Sequence, residues 1–383
     1  MSMSRKEFLK RMGFLSAGVF LTPTGGMGSV KTDENTPSPV SSQATIEYET
    51  IRLELFHPWT ITRGTAQYKE NVFVYYRRDG ITGIGEAGHM TAAGQTAERT
   101  VTEMQTLIPF YQKVNPWEFF NIPDQAREIF PGLSPAKAAL DLALMDWIGK
   151  KMNMPLYQFF GLNPDRTVDT SFTIGIDTVE VMRQKVKEAE PYKIIKVKLA
   201  GKDTDRQVIQ IIHEMTPKPI RVDMNQAWTD KEKAAREVEW MAKQGVEMIE
   251  QPFPIPMIDE TGWLKERSPL PIVADESVET SHDLIQLAGA VHGINIKLMK
   301  SGGLLEAYRM IILGKALGME IMLGCMIETS VATSAACQLQ PLAKWVDLDG
   351  PLLIQKDPFQ GLVFKDGHWI LSRQPGLGVS KKS

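Results

Sequence analysis

The stretch Lys193-Ile194-Ile195-Lys196-Val197-Lys198-Leu199 decides how the rest of the chain is read. Its apolar residues are mostly β-branched, so it is expected to be a buried strand. Side chains alternate along a strand, so Lys196 and Lys198 point to the same face. Two ammonium groups side by side in a buried setting are costly. A lone Lys-x-Lys is more simply a strand end whose lysines reach solvent. Here, similar apolar runs recur downstream and each ends in a charge.

The runs lie near Val168–Ile174, Ile194–Leu199, Ile220–Met224, Val246–Glu250, Ile272–Ala274, Ile294–Leu298, Glu320–Leu323 and Lys344–Val346. Amphipathic stretches such as Lys231–Lys243 and Leu304–Ala316 separate them. Eight strands alternating with helices predict an α/β fold, a modified TIM barrel of (β/α)7β form. An open doubly wound sheet is the alternative, but no Gly-x-Gly-x-x-Gly follows the first strand. Lys198, Asp223, Glu250, Asp275 and Lys297 close the second to sixth runs, at intervals of 25, 27, 25 and 22 residues. That is the length of one βα unit, so the charges fall at the same end of successive strands, where such barrels carry their active sites.

Three converging carboxylates repel one another unless a cation lies between them. A set of oxygen ligands without nitrogen or sulfur favours a hard divalent ion, and Mg²⁺ fits best. Asn225 shares the face of Asp223 and suits a metal-bound water or a ligand carboxylate. Removing a proton beside a carboxylate creates an enolate, whose charge a bound cation stabilises. The base is a neutral amine, and Lys196 together with the ion is expected to favour the neutral form of Lys198. Lys198 and Lys297 stand four units apart on an eight-unit ring. They therefore face a bound α-carbon from opposite sides, as inversion by proton removal and return requires.

Before the barrel, Thr45–Leu55, Asn71–Arg77 and Ile81–Glu86 are expected strands, with Asp79-Gly80 closing a hairpin and Phe56–Thr65 forming a loop. Helical patterns follow at Thr96–Leu107, Pro123–Ile129 and Ser134–Met152. In the last, Ser134 is the expected N-cap and Ala138, Leu142, Met145 and Ile148 the apolar stripe. The domain reading is an α+β capping domain at 45–165, the barrel at 166–350, and a segment at 351–383 that returns to complete the cap. Residues 1–21 have the form of an export signal: Ser4-Arg5-Lys6-Glu7-Phe8-Leu9-Lys10 precedes the short apolar run Phe14–Leu21. The head is twin-arginine-like, with Lys6 in the place of the second arginine. A periplasmic location is expected, with a cytoplasmic one if the signal is not functional. Residues 22–44, rich in Gly, Ser, Thr and Pro, are expected to be a disordered tether.

A net charge of −3 gives no reason to expect a nucleic-acid partner, and no segment is long enough for a membrane anchor. The two cysteines, Cys325 and Cys337, make no disulfide framework and are expected to be small core residues. The six histidines are scattered, without zinc-ligand spacing.

Lys196-x-Lys198, Asp223-Met224-Asn225-Gln226, Glu250-Gln251-Pro252, Ala274-Asp275-Glu276-Ser277 and Asn295 to Gly303 together resemble the enolase superfamily, muconate-lactonizing-enzyme subgroup, from Thr45 to the C-terminus. The resemblance implies Asp223, Glu250 and Asp275 as metal ligands and Lys198 and Lys297 as acid and base, with Lys196 beside them. Lys300 lies in the same last motif, but Lys297 matches the catalytic position. Within the subgroup the chain looks most like the dipeptide epimerases. Asp347-Leu348-Asp349-Gly350-Pro351 puts two carboxylates on one face, which in the family hold the ammonium group of a dipeptide. Arg63 matches the position that meets the glutamate side chain in Ala-Glu epimerases. Gly324 to Thr329, with Glu328, resembles a pocket segment without an assigned role. The resemblance implies a dipeptide substrate, L-Ala-D/L-Glu above all, and leaves open a homo-oligomer. A cycloisomerase or o-succinylbenzoate synthase of the same fold, and a non-catalytic peptide-binding barrel, are the rival readings.

Overall fold

β-Branched and aromatic residues dominate the first two strands, and in the computed structural model they build an antiparallel sheet. The structure describes residues 43–61, 64–90 and 93–382. The export signal, most of the tether and Arg63 lie outside the described residues. Strands β1 (Thr45–Ile61), β2 (Gly64–Arg78) and β3 (Ile81–Ala87) pair in that order. Asp79 and Gly80, both at positive φ (51° and 73°), make the tight turn between β2 and β3. The loop expected at Phe56–Thr65 is instead a continuation of both strands. Trp59 pairs with Ala66 beyond a register shift that starts at Glu54. Thr60, Ile61 and Thr65 favour extended backbone, and Pro58 falls in the stretch without paired residues, where its missing N–H costs nothing.

Helices α1 (Ala97–Tyr111) and α3 (Pro135–Lys151) pack on this sheet, and α2 (Ile122–Ile129) packs against those two helices. The apolar stripe expected on α3 is not a stripe. Every residue from Pro135 to Gly149 is buried, because α3 is enclosed by β2 and β3, the other cap helices and the barrel helices at 298–301 and 304–316. Ser134 occupies the N-cap position but does not cap the helix. Its hydroxyl donates to Glu103 Oε2 at 2.6 Å, a buried carboxylate that needs donors more than the helix end does. Asp146 on α3 accepts from Ile84 N, Lys150 Nζ and Leu377 N at 2.7–2.8 Å, joining β3, α3 and the C-terminal segment.

Strands β4 (Ser171–Ile174), β5 (Ile194–Lys198), β6 (Ile220–Asp223), β7 (Val246–Glu250), β8 (Ile272–Ala274), β9 (Gly293–Lys297), β10 (Glu320–Gly324) and β11 (Trp345–Asp347) form one parallel sheet in sequence order. A bridge between Thr170 and Val346 brings its two edges together. A short 3₁₀ turn, Gly350–Leu352, follows β11 in place of an eighth helix. The architecture is the (β/α)7β barrel with an antiparallel cap domain. Register places Lys198 opposite Asp223, Asp223 opposite Glu250, and Gly324 opposite both Lys297 and Asp347. Pairing therefore carries the charges of neighbouring strands to one level at the barrel mouth.

The chain after β11 touches both layers. Phe359 packs on Phe73 of the cap, with ring centroids 4.9 Å apart. Trp369 Nε1 donates to Leu348 O at 2.7 Å on the barrel side. Among the described residues no helix is long and apolar enough to cross a membrane.

The sheet and α3 meet through Gly83 and Gly85. A methyl group at either would fall within bonding range of the carbonyl oxygen of Ala143 or Ala139. Gly85→Ala is therefore expected to destabilise the protein by on the order of 3 kcal/mol. Thermal denaturation followed by circular dichroism should show Tm lower by about 5 °C or more. An unchanged Tm would mean that α3 has room to move off the sheet.

Candidate active site

Each charge at the barrel mouth directly follows a buried apolar residue: Val197, Val222, Ile249, Ala274 and Ile296 precede Lys198, Asp223, Glu250, Asp275 and Lys297. Asp223 and Glu250 are the last residues of β6 and β7, and Asp275 follows β8 directly. All three are buried, and their ligand-capable oxygens lie within 4.8 Å of one another. Local backbone holds them. Asn225, at φ 42°, donates its N–H to Asp223 Oδ1 at 2.9 Å. Gln251 Oε1 accepts from Asp275 N at 2.8 Å, and Asn295 Nδ2 donates to Glu250 Oε1 at 2.9 Å.

The lysines lie directly on these carboxylates. Lys198 Nζ is 2.8 Å from Asp223 Oδ2, and Lys297 Nζ is 2.7 Å from Asp275 Oδ2. The strands that carry them, β5 and β9, stand four apart in the eight-stranded ring, so the two amines enter the mouth from opposite sides. Lys300 also lines the mouth, with its ammonium held by Asp275 Oδ1 (2.6 Å) and the carbonyl of Val278 (3.0 Å). Lys196 faces Glu250 (2.7 Å), Asp347 (2.8 Å) and Asp223 (3.4 Å). Its charge is thus opposed by three carboxylates rather than turned on Lys198.

Electrostatics follow from this crowding. Burial disfavours the ammonium of Lys196, but Asp347, Glu250 and Asp223 outweigh it and raise its pKa well above the ordinary lysine value. Burial likewise opposes the Lys297 ammonium, and Asp275 reverses the balance and raises its pKa. Burial pushes Asp275 up, yet Lys297 and Lys300 hold its carboxyl well below the usual range. Glu250 is pushed up to about 7 by burial and then by its neighbour Asp223.

At the far wall, Asp347 accepts from Ser171 Oγ (2.7 Å) and Thr173 Oγ1 (3.1 Å), while Asp349 accepts from Thr173 N (2.7 Å). Lys196 outweighs burial and holds Asp347 down at about 2. Burial and then Asp347 push Asp349 up to about 7. A second cation against this pair would relieve that repulsion.

Of these groups, the lysines, Asp275, Asp347 and Asp349 open on one cavity of about 310 Å³, while Asp223 and Glu250 are fully buried outside its lining. Lys196, Lys198, Lys297, Asp275, Asp347 and Asp349 all line it from the barrel. Trp59, Lys69 and His89 line it from the cap. Lys69 and His89 are not legible in the sequence, since one falls in the polar alternation of β2 and the other in a turn. Cys325 also lines the cavity, so of the two cysteines expected in the core only Cys337 is fully buried. Glu328 is buried, accepts from Met326 N at 3.0 Å, and is pushed up to about 8 by burial and by Glu86.

The residues present fit a divalent ion. Asp223, Glu250 and Asp275 offer oxygen donors alone, the choice of a hard cation. Glu250 Oε2 lies near the Lys196 ammonium without a directed hydrogen bond, leaving a buried acceptor turned to the cluster. Mg²⁺ is the ion these donors suit.

The fold and site define a class. Residues 45–161 match the mandelate racemase / muconate lactonizing enzyme N-terminal domain, and residues 177–382 match the enolase C-terminal domain-like family. The chain belongs to this family, within the enolase superfamily. It is 40% identical to an L-Ala-D/L-Glu epimerase of Bacteroides thetaiotaomicron, with 99% of each chain covered. It also resembles the dipeptide epimerase of Methylococcus capsulatus in complex with Mg and the dipeptide L-Arg-D-Lys. There the TM-score is 0.82 at 30% identity, covering 88% of this chain and 99% of that one. The substrate-liganded L-Ala-D/L-Glu epimerase of Bacillus subtilis gives a TM-score of 0.83 at 27% identity, covering 89% and 99%.

Mg²⁺ at one hundred times its dissociation constant should stabilise the folded protein by about 2.7 kcal/mol. The check is a thermal-shift titration of the wild type and of Glu250→Gln. The wild-type Tm should climb with Mg²⁺ and that of the variant should stay flat. A wild-type Tm indifferent to millimolar Mg²⁺ would remove the cation from this cluster.

Proposed function

We propose that this protein is a Mg²⁺-dependent dipeptide epimerase that inverts the C-terminal residue, with L-Ala-D/L-Glu as its substrate. The observation that carries the reading is the placing of two amines on opposite strands of one cavity whose far wall bears two carboxylates. In this reading Asp223, Glu250 and Asp275 hold Mg²⁺. When bound, the ion neutralises the substrate's carboxylate and so makes the adjacent α-proton more acidic. Lys198 and Lys297 do the proton work at the α-carbon. One takes the proton from its side and the other returns one from the opposite side. Asp347 and Asp349 receive the ammonium group, which fixes which residue of the dipeptide lies between the lysines. Lys196 keeps Asp347, Glu250 and Asp223 at fixed spacing and lines the same cavity. The hairpin of β1 and β2, with Trp59, excludes water from above. Arg63 is assigned to the glutamate side chain on its sequence position.

The same-fold alternatives, cycloisomerase and o-succinylbenzoate synthase, act on substrates without an ammonium group, for which the Asp347–Asp349 wall has no use. A non-catalytic peptide binder would not need amines facing each other across the α-carbon. The export signal read at residues 1–21 belongs to the same proposal. A periplasmic epimerase would meet murein-derived peptides, which carry D-glutamate.

In D₂O with Mg²⁺, the wild type is expected to place deuterium at the α-carbon of L-Ala-L-Glu and to yield both epimers, followed by mass spectrometry and chiral chromatography. Lys297→Ala should slow inversion by roughly 10³-fold, while Lys198 still exchanges the proton of one epimer. Inversion at the wild-type rate in that variant would end the two-base scheme.

Asp349→Asn is expected to raise KM for free dipeptides about tenfold, the loss of a charge-assisted contact. N-acetyl-L-Ala-L-Glu, which has no ammonium group, should be a poor substrate for the wild type. If acetylation were tolerated, the far wall would not be the ammonium site.

A further inference from the structure

The cavity's barrel wall carries both signs of charge, with Lys196, Lys198, Lys297 and Lys300 among its lining residues. Asp275, Glu276, Glu279, Asp347 and Asp349 line it, and all come from the barrel. From the cap, the ionisable groups among the described lining residues are Lys69 and His89. The reading above gives the substrate's carboxylate to the metal cluster, its ammonium to Asp347 and Asp349, and its α-carbon to the two lysines. The side chain of the inverted residue is what remains, and the cap is the wall left to meet it.

Local structure fixes both cap groups. Lys69 and Asn71 are two apart on β2 and share a face. Asn71 is fully buried and is pinned to the barrel by donating to Ile327 O at 3.0 Å, and to Glu86 Oε1 at 2.8 Å. That turns the Lys69 face toward the barrel mouth. Asn71 Oδ1 also accepts from His89 N at 3.0 Å, which seats the turn carrying His89 beside Lys69. Lys69 is 6% exposed, and burial lowers its pKa, so an anion brought to it would favour its charged form. His89 is pushed down by burial and then by Lys69, which leaves a neutral imidazole near neutral pH. Its Nδ1 is buried with no hydrogen-bond partner. A neutral imidazole has one N–H to donate and one nitrogen to accept.

We infer that Lys69 and His89 form the subsite that reads an acidic side chain on the inverted residue, with Lys69 supplying the charge and His89 a neutral hydrogen bond. The inference rests on dipeptide epimerisation at this site, and it concerns residues distinct from Arg63. It adds to the contribution assigned to Arg63 a part of the preference for glutamate that comes from β2 and the turn after β3.

The test compares L-Ala-L-Glu with L-Ala-L-Gln, which has the same shape and no charge. Epimerisation rates with Mg²⁺ give the ratio of kcat/KM for the two, and calorimetry gives the ratio of affinities. The wild type should prefer Glu. Lys69→Met should lower the Glu-to-Gln ratio roughly 10- to 100-fold, through KM more than kcat, and Lys69→Arg should restore most of it. His89→Phe should lower the ratio by a smaller factor. A ratio unchanged in Lys69→Met, an equal loss for both substrates, or a wild type indifferent to Glu and Gln would overturn the subsite. Absence of α-carbon exchange with any dipeptide would instead overturn the function on which it rests.

Discussion

Everything at the barrel mouth turns on the repulsion between Asp223, Glu250 and Asp275. Three carboxylates with oxygens within 4.8 Å, shut away from water, are tolerable only with positive charge among them. Lys196, Lys198 and Lys297 supply part of it, each within 2.8 Å of a carboxylate oxygen. Salt bridges of this kind hold geometry more than they add stability, since desolvation offsets much of the attraction. Their value here is positional. The same contacts that make the cluster bearable set each amine at a fixed side of the mouth. A divalent ion held by Asp223, Glu250 and Asp275 would supply part of the positive charge that the lysines now provide.

Barrel register is what makes this arrangement possible. Neighbouring parallel strands carry their C-terminal residues to one level, so Lys198, Asp223 and Glu250 sit in adjacent paired positions without any special loop. The glycine at the end of β10 belongs to the same scheme. A side chain at Gly324 would run into Asn295, the residue that orients Glu250. A small residue on one strand thus protects the aim of a carboxylate three strands away.

This logic explains what could be read from the amino-acid order. Charges recurring once per βα unit survive as a one-dimensional pattern, because the fold maps sequence period onto strand ends. The lysine pair and the three acids were legible for that reason, whereas the Asp347–Asp349 wall was read from its resemblance to the dipeptide epimerases. What depends on packing between layers was not. Ser134 looks like a helix cap, but Glu103, thirty-one residues away, takes its hydroxyl. The stripe on α3 looks amphipathic, but barrel and cap enclose the helix from all sides. Lys196 looks like a charge aimed at Lys198, until Asp347 arrives from the other end of the chain to meet it. Lys69 and His89 carry no periodic mark, and only the closing of cap on barrel gives them a common cavity.

The cap is not a passive cover, because it is stitched to the segment that follows the far wall. Phe56 N donates to Leu353 O at 3.1 Å, Gln355 N to Glu54 O at 2.8 Å, and Gln355 Nε2 to Leu55 O at 2.8 Å. Leu353 is four residues beyond Asp349, and Trp59, which lines the cavity, is three beyond Phe56. His57 Nε2, 2.8 Å from Glu188 Oε2, ties the same hairpin to a barrel helix. The backbone that follows Asp347 and Asp349 and the hairpin that carries Trp59 are therefore one hydrogen-bonded unit. A substrate that fails to fill the far wall leaves that unit without the cation which offsets the Asp347–Asp349 repulsion. On the proposed function, recognition of one end of the substrate and cover over its other end would draw on the same contacts, which would make a barrel with a general proton-transfer chemistry selective for a peptide.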